Sequence, residues 1–525
     1  MQLASCKPHS SLSLGSDVST LSVFSRSPSA DVGLFLFHAP FFLIIHPVAK
    51  AAALLPIATF AFDSLTFLSI HSSVLSDATM ETIRWPYFDP DYETLSQRLN
   101  PPRVVIDNKS LESCTLIKVD STNKHGILLE LVQVLTDLDL TISKAYISSD
   151  GRWFMDVFHV TDQLGNKVKD EGAIEYIQQT LGAKRAGAAP EVHTCLGRLV
   201  GLQSIGEHTA IELIGTDRPG LLSEIFAVLT DLNCNVVGAE VWTHNTRAAS
   251  VVYVTDNTTL GPIEDLQRLD FLKEQLRNVL KAAEDRRGVK TDFSIGLTHT
   301  DRRLHQMMFA DRDYEISDLC FVDSKSSISI DNCVEKGYSV VNIQCQDRPK
   351  LLFDIVCTLT DMQYVVFHGT INSDGPYAVQ EYFIRHMDGC TLDTDGEKQR
   401  VTKCLEAAIR RRASQGLRLE LCTSDRVGLL SEITRRFREN GLSVTRAGVS
   451  TQGRKAFNSF YVTDASGGPV DMRTIEAIRN EIGKQILLIK EEASCSSSTL
   501  KVSFSIATLL REQWERLSSN LNLVK

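Results

Sequence analysis

The chain has 525 residues, which is too long for one compact domain and leaves room for about three to five. With 43% hydrophobic and 23% charged residues, it can bury sizeable cores and does not have the composition of a disordered or collagen-like protein. The formal net charge of -10 argues against nucleic acid as a partner, because the chain repels polyanions unless a local basic patch intervenes.

The 12 cysteines are scattered from Cys6 to Cys495. They form no C-x-x-C pair and no Cys/His cluster at zinc-ligand spacing. We therefore interpret them as reduced thiols in a reducing compartment. This favours the cytoplasm, with the nucleus as an alternative, and predicts neither a metal site nor a cofactor.

The first 79 residues differ from the rest of the chain. Residues 1–30 contain ten serines and one acidic residue, and Val32 to Ala49 contains no Asp, Glu, Lys or Arg. A membrane-spanning helix is disfavoured, because Pro40 and Pro47 each remove a backbone donor. An organellar targeting segment remains an alternative, since acidic residues are scarce, although basic residues are scarce too. We favour a non-folded extension ahead of Met80 and predict no membrane partner.

A six-residue motif recurs four times in the rest of the chain. Its first residues, which we call origins, are Asn123, Asp217, Asp347 and Asp425, and we call the surrounding segments the first to fourth repeats. The most complete copy is Asp217-Arg218-Pro219-Gly220-Leu221-Leu222. In every copy the fourth, fifth, eighth and twelfth residues after the origin are apolar, which predicts one buried face of an α-helix. These residues are Ile127, Leu128, Leu131, Leu135, Leu221, Leu222, Ile225, Leu229, Leu351, Leu352, Ile355, Leu359, Leu429, Leu430, Ile433 and Phe437.

The motif lies within a longer pattern of elements. Alternating apolar residues before each origin predict a strand, two further apolar runs follow the helix, and a second amphipathic helix comes next. Closing strands are predicted at Asp292 to Gly296 and at Val502 to Ile506. The order β-α-β-β-α-β predicts an α+β protein of four tandem ferredoxin-like domains, each an antiparallel four-stranded sheet with both helices on one face.

The same pattern gives the expected domain boundaries. We predict an unmatched extension over 1–79, a lead-in over 80–112, and a C-terminal helix or tail over 509–525. The four domains are expected at 113–200, 207–300, 337–413 and 416–508. Because each sheet exposes edges that need covering, we expect the domains to pair side by side, the first with the second and the third with the fourth. The interfaces should contain the small residues Ala239 and Ala447.

The motif resembles that of a known family. Four copies in register after the opening Trp85-Pro86-Tyr87-Phe88-Asp89-Pro90 are similar to the plant ACT domain repeat proteins, over about residues 80–525. The resemblance implies a non-catalytic amino-acid sensor whose ligand lies where the first loop meets a paired domain. It also implies a set of ligand contacts, namely Asp217, Arg218, Gly220, Leu221, Asn235, Asp347, Asp425, Gly428 and Leu429.

The chemistry of the second repeat fits such a ligand. The amides at the start of a helix suit a carboxylate, Asp217 could hold an amino group, and Gly220 permits close approach. Alternatively, Asp217 is an N-cap, Gly220 a packing residue, and Asn235 a strand-start residue that bonds its own turn. The copies with Lys350 in place of glycine and Asn123 in place of aspartate are expected to serve pairing and stability instead.

No catalytic arrangement is evident in the sequence. His299-Thr300-Asp301 and His386-Met387-Asp388 are isolated His-x-Asp pairs, which we interpret as surface or strand-end residues. The arginine runs at 410–412 and 435–438 are interpreted as solvated. Two functions remain open, a regulatory protein that binds a free amino acid and a ligand-free scaffold for protein partners. Either could assemble into homo-oligomers through sheet edges.

Overall fold

The computed structural model describes residues 102–124, 126–150, 153–182, 192–194, 199–200, 208–281, 287–294, 299–315, 326–333, 335–412 and 416–490. The extension over 1–79, the segment Val32 to Ala49 and the closing strand expected at Val502 to Ile506 lie outside these residues. Among the helices within these ranges, none has the length and apolar character needed to cross a membrane.

The strands are numbered in chain order. They are β1 Arg103–Asp107, β2 Thr115–Thr122, β3 Thr141–Ser148, β4 Trp153–Thr161, β5 Val192–His193, β6 Leu199–Val200, β7 Thr209–Thr216, β8 Cys234–His244, β9 Arg247–Asp256, β10 Lys290–Ser294, β11 Ser327–Cys333, β12 Tyr338–Gln346, β13 Tyr364–Asp374, β14 Tyr377–His386, β15 Leu417–Ser424, β16 Leu442–Gln452, β17 Lys455–Asp464 and β18 Leu487–Lys490.

The helices are numbered in the same way. They are α1 Ile127–Asp137, α2 Glu171–Leu181, α3 Leu221–Asp231, α4 Leu266–Leu280, α5 Thr300–Ala310, α6 Leu351–Asp361, α7 Asp395–Arg411, α8 Leu429–Glu439 and α9 Met472–Ile482, with a 3-10 turn at Asp313–Glu315.

The repeats pair side by side, but not in the expected combination. The first and third repeats share one eight-stranded sheet, β1-β2-β4-β3-β13-β14-β12-β11, and the second and fourth share another, β10-β7-β9-β8-β16-β17-β15-β18. The prediction of first with second and third with fourth is therefore wrong. All four second strands carry a small residue at the same place, namely Ala145, Ala239, Gly369 and Ala447, so this feature does not distinguish partners. The long connections at 182–208 and 295–326 allow repeats that are not adjacent in the chain to pair.

The central strands of each sheet meet around a pseudo-two-fold axis. In the sheet of the second and fourth repeats, Ala447 lies opposite Val241 and Val449 lies opposite Ala239. Ala239 and Ala447 therefore lie at this interface, as expected. The sheet of the first and third repeats has the same register, with Gly369 opposite Ile147. A Cβ on Gly369 would lie 3.1 Å from Ile147 Cδ1, so the small residue leaves room for a side chain of the partner repeat.

The ferredoxin-like fold class is confirmed, with a difference in chain order. In the second and fourth repeats the outer strand follows the second helix, as β10 and β18 do. In the first and third repeats the outer strand comes first, as β1 and β11 do, and pairs with the strand that follows it. The strand expected at Asp292 to Gly296 is β10. In the fourth repeat the strand beside β15 is β18, which lies before the predicted segment.

The predicted helix faces form the cores. Of the sixteen residues assigned to these faces, fourteen are buried, and Ile127 and Leu128 are partly buried. One core fills the pair of the first and third repeats, and a second core fills the other pair. The periodicity of the sequence therefore predicted the inward side of α1, α3, α6 and α8 correctly.

Helix α5 belongs to neither pair and lies between them. Its apolar residues Leu304, Met307 and Met308 pack on Trp242 and Ala249, on the side of β8 and β9 that faces away from α3. Its other side contacts α6 of the third repeat. The connection between the second and third repeats therefore covers one sheet and joins it to the helices of the other pair.

Two of the arginines predicted to be solvated are buried at this junction. Arg411 donates from Nε and Nη2 to the two carboxylate oxygens of Asp313, at 2.6 and 2.5 Å. Arg412 lies 3.0 Å from Asp301 and 3.2 Å from Asp354, so these three residues form a buried ion-pair cluster. The interpretation of 410–412 as a solvated run is wrong, because the other pair of repeats docks over the end of α7.

The run on α8 is different. Arg435 and Arg438 keep 55% and 42% of their side chains exposed, as expected. Arg436 is partly buried beside Glu432.

The two His-x-Asp pairs also differ. His386 lies at the end of β14 with Nδ1 2.9 Å from Asp388, which confirms its interpretation as a strand-end residue. His299 is the N-cap of α5, where its Nδ1 accepts from the Arg302 amide at 3.2 Å and its Nε2 contacts Asp137. Its interpretation as a surface residue is wrong, because it lies where α5 meets the first repeat.

Candidate functional site

The motif of the second repeat forms a tight loop between β7 and α3. Gly220 is the N-cap of α3 with φ 85°, and no side chain caps the helix. The Leu221 amide donates to the Arg218 carbonyl at 3.1 Å, and the Asp217 amide donates to the Thr246 carbonyl at 2.8 Å. The interpretation of Asp217 as an N-cap is therefore wrong, because its carboxylate does not cap the start of α3.

A left-handed residue precedes the first helix of every repeat. Gly126, Gly220 and Gly428 have φ of 81°, 85° and 79°, and Lys350 adopts φ 66° at the same place. L-residues in this region carry a cost of roughly 1–2 kcal/mol. The motif glycine is thus required by the backbone of the turn, and the third repeat accepts some strain in order to place a lysine there.

A cleft opens where this loop faces the fourth repeat. Its walls, to which both repeats contribute, border about 520 Å³ of space, part of which is open solvent. The second repeat supplies Leu213, Asp217, Arg218, Gly220, Leu221, Leu222, Ser223, Ile225, Val241, Thr243, Ala248, Ser250 and Leu280, and the fourth supplies Thr434, Arg438, Leu442 and Val444. The walls are mainly aliphatic, with charged groups confined to the loop and to α8.

The two charged groups of the loop have different environments. Burial raises the pKa of Asp217 to about 6, although the Arg218 amide, which donates to its carboxylate, works in the opposite direction. The Arg218 guanidinium is engaged elsewhere, since it donates to Glu224 and to the Val279 carbonyl at 3.2 Å. Arg218 therefore fixes the loop to α3 and α4, while Asp217 supplies the cleft with a carboxyl group.

Arg438 approaches the loop from the fourth repeat. A methyl group added to Gly220 would lie 2.5 Å from Arg438 Cδ. The guanidinium of Arg438 is 4.0 Å from Glu224, and the side chain is 42% exposed. The absence of a side chain at Gly220 thus lets a cation of the partner repeat lie across the start of α3.

We expect Gly220→Ala to destabilise the protein by more than the roughly 1–2 kcal/mol that positive φ alone costs alanine, because Arg438 must also move. Gly126→Ala is the matched control, since Gly126 has φ 81° and nothing lies within 4 Å of the added methyl group. Urea denaturation measures both variants. An equal loss in both would contradict a specific role for the contact with Arg438.

The remaining predicted ligand contacts lie outside this cleft. Asn235 is the second residue of β8 and does not line this cleft. Asp425, Gly428 and Leu429 belong to the equivalent loop of the fourth repeat. The sequence analysis missed Thr434, Arg438, Leu442 and Val444, because they come from another repeat. Their offsets from Asp425 could have identified them only once the pairing was known.

Asp347 lies in a second cleft between the third and first repeats. This cleft encloses about 410 Å³, solvent included, and is also lined by Arg348, Lys350 and Thr141. Lys350 Nζ donates to Asp301 on α5 at 2.9 Å. In the first repeat, Asn123 donates to Ser149 Oγ at 2.8 Å. The third-repeat loop is therefore attached to α5 at the position where the second-repeat loop has only Gly220.

Family models match all four repeats. The ACR family N-terminal ACT domain matches residues 110–188, the ACT domain matches 209–268 and 417–480, and the ACR9-like, ACT-like domain matches 327–419.

Three relatives from Arabidopsis thaliana match most of the chain. ACT domain-containing protein ACR3 is 63% identical over 415 residues, which are 78% of this chain and 91% of the relative. ACR4 is 58% identical over 411 residues, covering 77% and 89%, and ACR6 is 54% identical over 416 residues, covering 79% and 95%. Together with the four matched repeats, these identities show that the chain belongs to the plant ACR family of ACT domain-containing proteins.

Proposed function

We propose that this chain is a regulatory protein that binds a free amino acid with an aliphatic side chain in the cleft between the second and fourth repeats. The observation that carries the proposal is the combination of a half-buried carboxyl group, Asp217, with the uncapped start of α3 and walls that are mainly aliphatic. These three features match the ammonium, carboxylate and side chain of such a ligand.

Each group of the ligand has a complementary partner. The ammonium pairs with ionised Asp217 in a charge-assisted hydrogen bond. The carboxylate binds the amides of the first turn of α3, where the helix dipole adds a favourable positive potential. Leu213, Ile225 and Val444 surround the aliphatic side chain. Because both repeats contribute walls, an occupied cleft stabilises their association, which gives the binding event a structural consequence.

Isothermal titration of the full chain with the twenty amino acids tests this proposal. We expect leucine, isoleucine or valine to bind, and aspartate and lysine not to bind. For a leucine ligand, 4-methylpentanoate lacks the ammonium and 3-methylbutylamine lacks the carboxylate. Each should bind at least about tenfold more weakly, because each loses one charge-assisted contact.

The scaffold alternative makes the opposite prediction. If none of the twenty amino acids gives heat or raises the melting temperature, the paired repeats serve protein partners instead. The attachment of Lys350 to Asp301 favours such a structural role for the cleft between the first and third repeats.

Free cysteines in the described residues are consistent with the cytosol or nucleus as the site of action.

A further inference from the structure

The sheet of the first and third repeats has a face that points away from its helices, which we call the open face. Directly paired residues lie on the same side of an antiparallel sheet, so the register identifies its members. One row crosses all eight strands and consists of Val105, Lys118, Val157, Tyr146, Thr370, Glu381, Asn342 and Ser329.

The open face concentrates exposed apolar side chains. Met155 is 54% exposed, Val379 53% and Tyr146 48%, and Val105, Trp153 and Tyr377 are also exposed on this side. Six of the thirteen large exposed hydrophobic residues in the described part of the chain therefore lie on one face. Exposed apolar side chains gathered on one face in this way indicate an interaction site more often than residues scattered singly over the surface do.

The other sheet indicates that this position in the fold is suited to burial. Met155 and Val379 lie 32 residues after their origins, and the same position in the second repeat is Ala249. Ala249 is completely buried under α5, against Leu304 and Met308. The equivalent residues of the first and third repeats are larger and more apolar, yet they are exposed.

We propose that the open face binds the same face of a second copy of this chain. Eight strands spaced about 4.8 Å apart, with five residues each, present roughly 650 Å², close to the roughly 800 Å² per partner of a standard interface. The pseudo-two-fold arrangement of the sheet suits an isologous contact, in which the same patch is used by both copies.

The charges on this face support a second copy rather than nucleic acid. Arg103 and Asp331 lie on β1 and β11, at the two outer edges. A two-fold axis parallel to the strands places Arg103 of one copy over Asp331 of the other, and Asp331 of the first over Arg103 of the second. Lys118 on β2 and Glu381 on β14 add one charge of each sign to the row, so the row lacks the basic character that binding to a phosphate backbone requires.

Sedimentation of the full chain tests the proposal. We expect a particle of twice the 58.3 kDa chain mass at micromolar concentration, and the same mass after nuclease treatment. Met155→Lys and Val379→Lys place a charge on the apolar part of the face and should weaken the dimer at least about tenfold. The matched control is Phe271→Lys on α4, which replaces a 51% exposed residue on another surface and should leave the dimer intact.

Several outcomes would overturn the proposal. A chain that sediments as a monomer at every concentration would do so, and so would a dimer that is lost on nuclease treatment. A dimer that Phe271→Lys weakens as much as Val379→Lys would place the contact elsewhere. Circular dichroism confirms that each variant is folded, so that a loss of dimer reports on the face itself.

Discussion

Replacing Arg412 by alanine is expected to lower the free energy of unfolding by about 3–5 kcal/mol, the range for removing one partner of a buried ion pair. Arg412 is only 3% exposed. Its guanidinium lies between Asp301 of α5 and Asp354 of α6, and it stacks over the Trp242 ring at 4.6 Å. One side chain thus contacts α5, α6 and β8 and holds these three segments together.

The expected loss arises from the carboxylates that remain. Burial opposes the ionisation of Asp354, but Arg412 and Arg348 outweigh it and hold its pKa well below its usual range. The pKa of Asp301 is also held well below its usual range, because Arg412 and Lys350 outweigh the effect of burial. Without Arg412, each buried carboxylate keeps its charge with less compensation, and the ring of Trp242 loses its cation.

Urea denaturation of the full chain measures this effect. Arg435→Ala is the control, because Arg435 is 55% exposed on α8 and lies 3.7 Å from Glu439 across one helical turn. Exposed pairs of this kind contribute at most about 0.5 kcal/mol. If Arg412→Ala cost no more than Arg435→Ala, the buried cluster would not be a determinant of stability.

Local sequence patterns predicted the elements within each repeat. The spacing of Leu221, Ile225 and Leu229 identified the inner side of α3, because the period of a helix is visible in a short window. The small residue Ala239 indicated a close contact on β8 for a similar reason. Neither feature depends on knowing which repeat lies alongside.

Contacts between repeats could not be predicted in the same way. A run of arginines at the end of a helix is ordinarily solvated. Arg411 and Arg412 are buried because Trp242 of the second repeat and the connection that carries Asp301 and Asp313 pack over them. Asp313 lies about one hundred residues away in sequence from Arg411. No local pattern relates residues at such separations.

The same distinction between local patterns and contacts between repeats applies to the candidate site. The loop residues Asp217 and Gly220 were identified from the motif itself. Arg438, Leu442 and Val444 were not, because they enter the cleft only through the pairing of the second repeat with the fourth. The structure was also needed to show that Asp217 does not cap α3, since the N-cap position is taken by Gly220.

Asp217→Ala is expected to weaken amino-acid binding by roughly tenfold to a hundredfold, which corresponds to about 1.5–3 kcal/mol for a charge-assisted hydrogen bond. Asn123→Ala should have little effect on binding, because Asn123 carries no charge and lies in the first repeat, where it donates to Ser149. Since Gly220 and not Asp217 is the N-cap of α3, Asp217→Ala removes no helix cap and should not lower the melting temperature of the ligand-free chain.

The pH dependence of binding provides an independent test of the same residue. The pKa of Asp217 in the free protein is raised to about 6, so folding takes up a proton between the usual carboxyl pKa and this value. Ligand-free stability therefore falls as pH rises through that window. Ligand affinity changes in the opposite direction, because the ammonium requires the ionised carboxylate. Affinity should be highest above pH 6 and fall by up to about tenfold per pH unit below it.

Asp217→Asn should remove this pH dependence while keeping the size of the side chain. Titration calorimetry of both proteins between pH 5 and pH 8 measures the difference. An unchanged affinity in Asp217→Ala, or the same pH profile in Asp217→Asn as in the unmodified chain, would exclude Asp217 as the partner of the ammonium. The cleft would then bind its ligand through α3 and Arg438 alone, or serve only to join the second and fourth repeats.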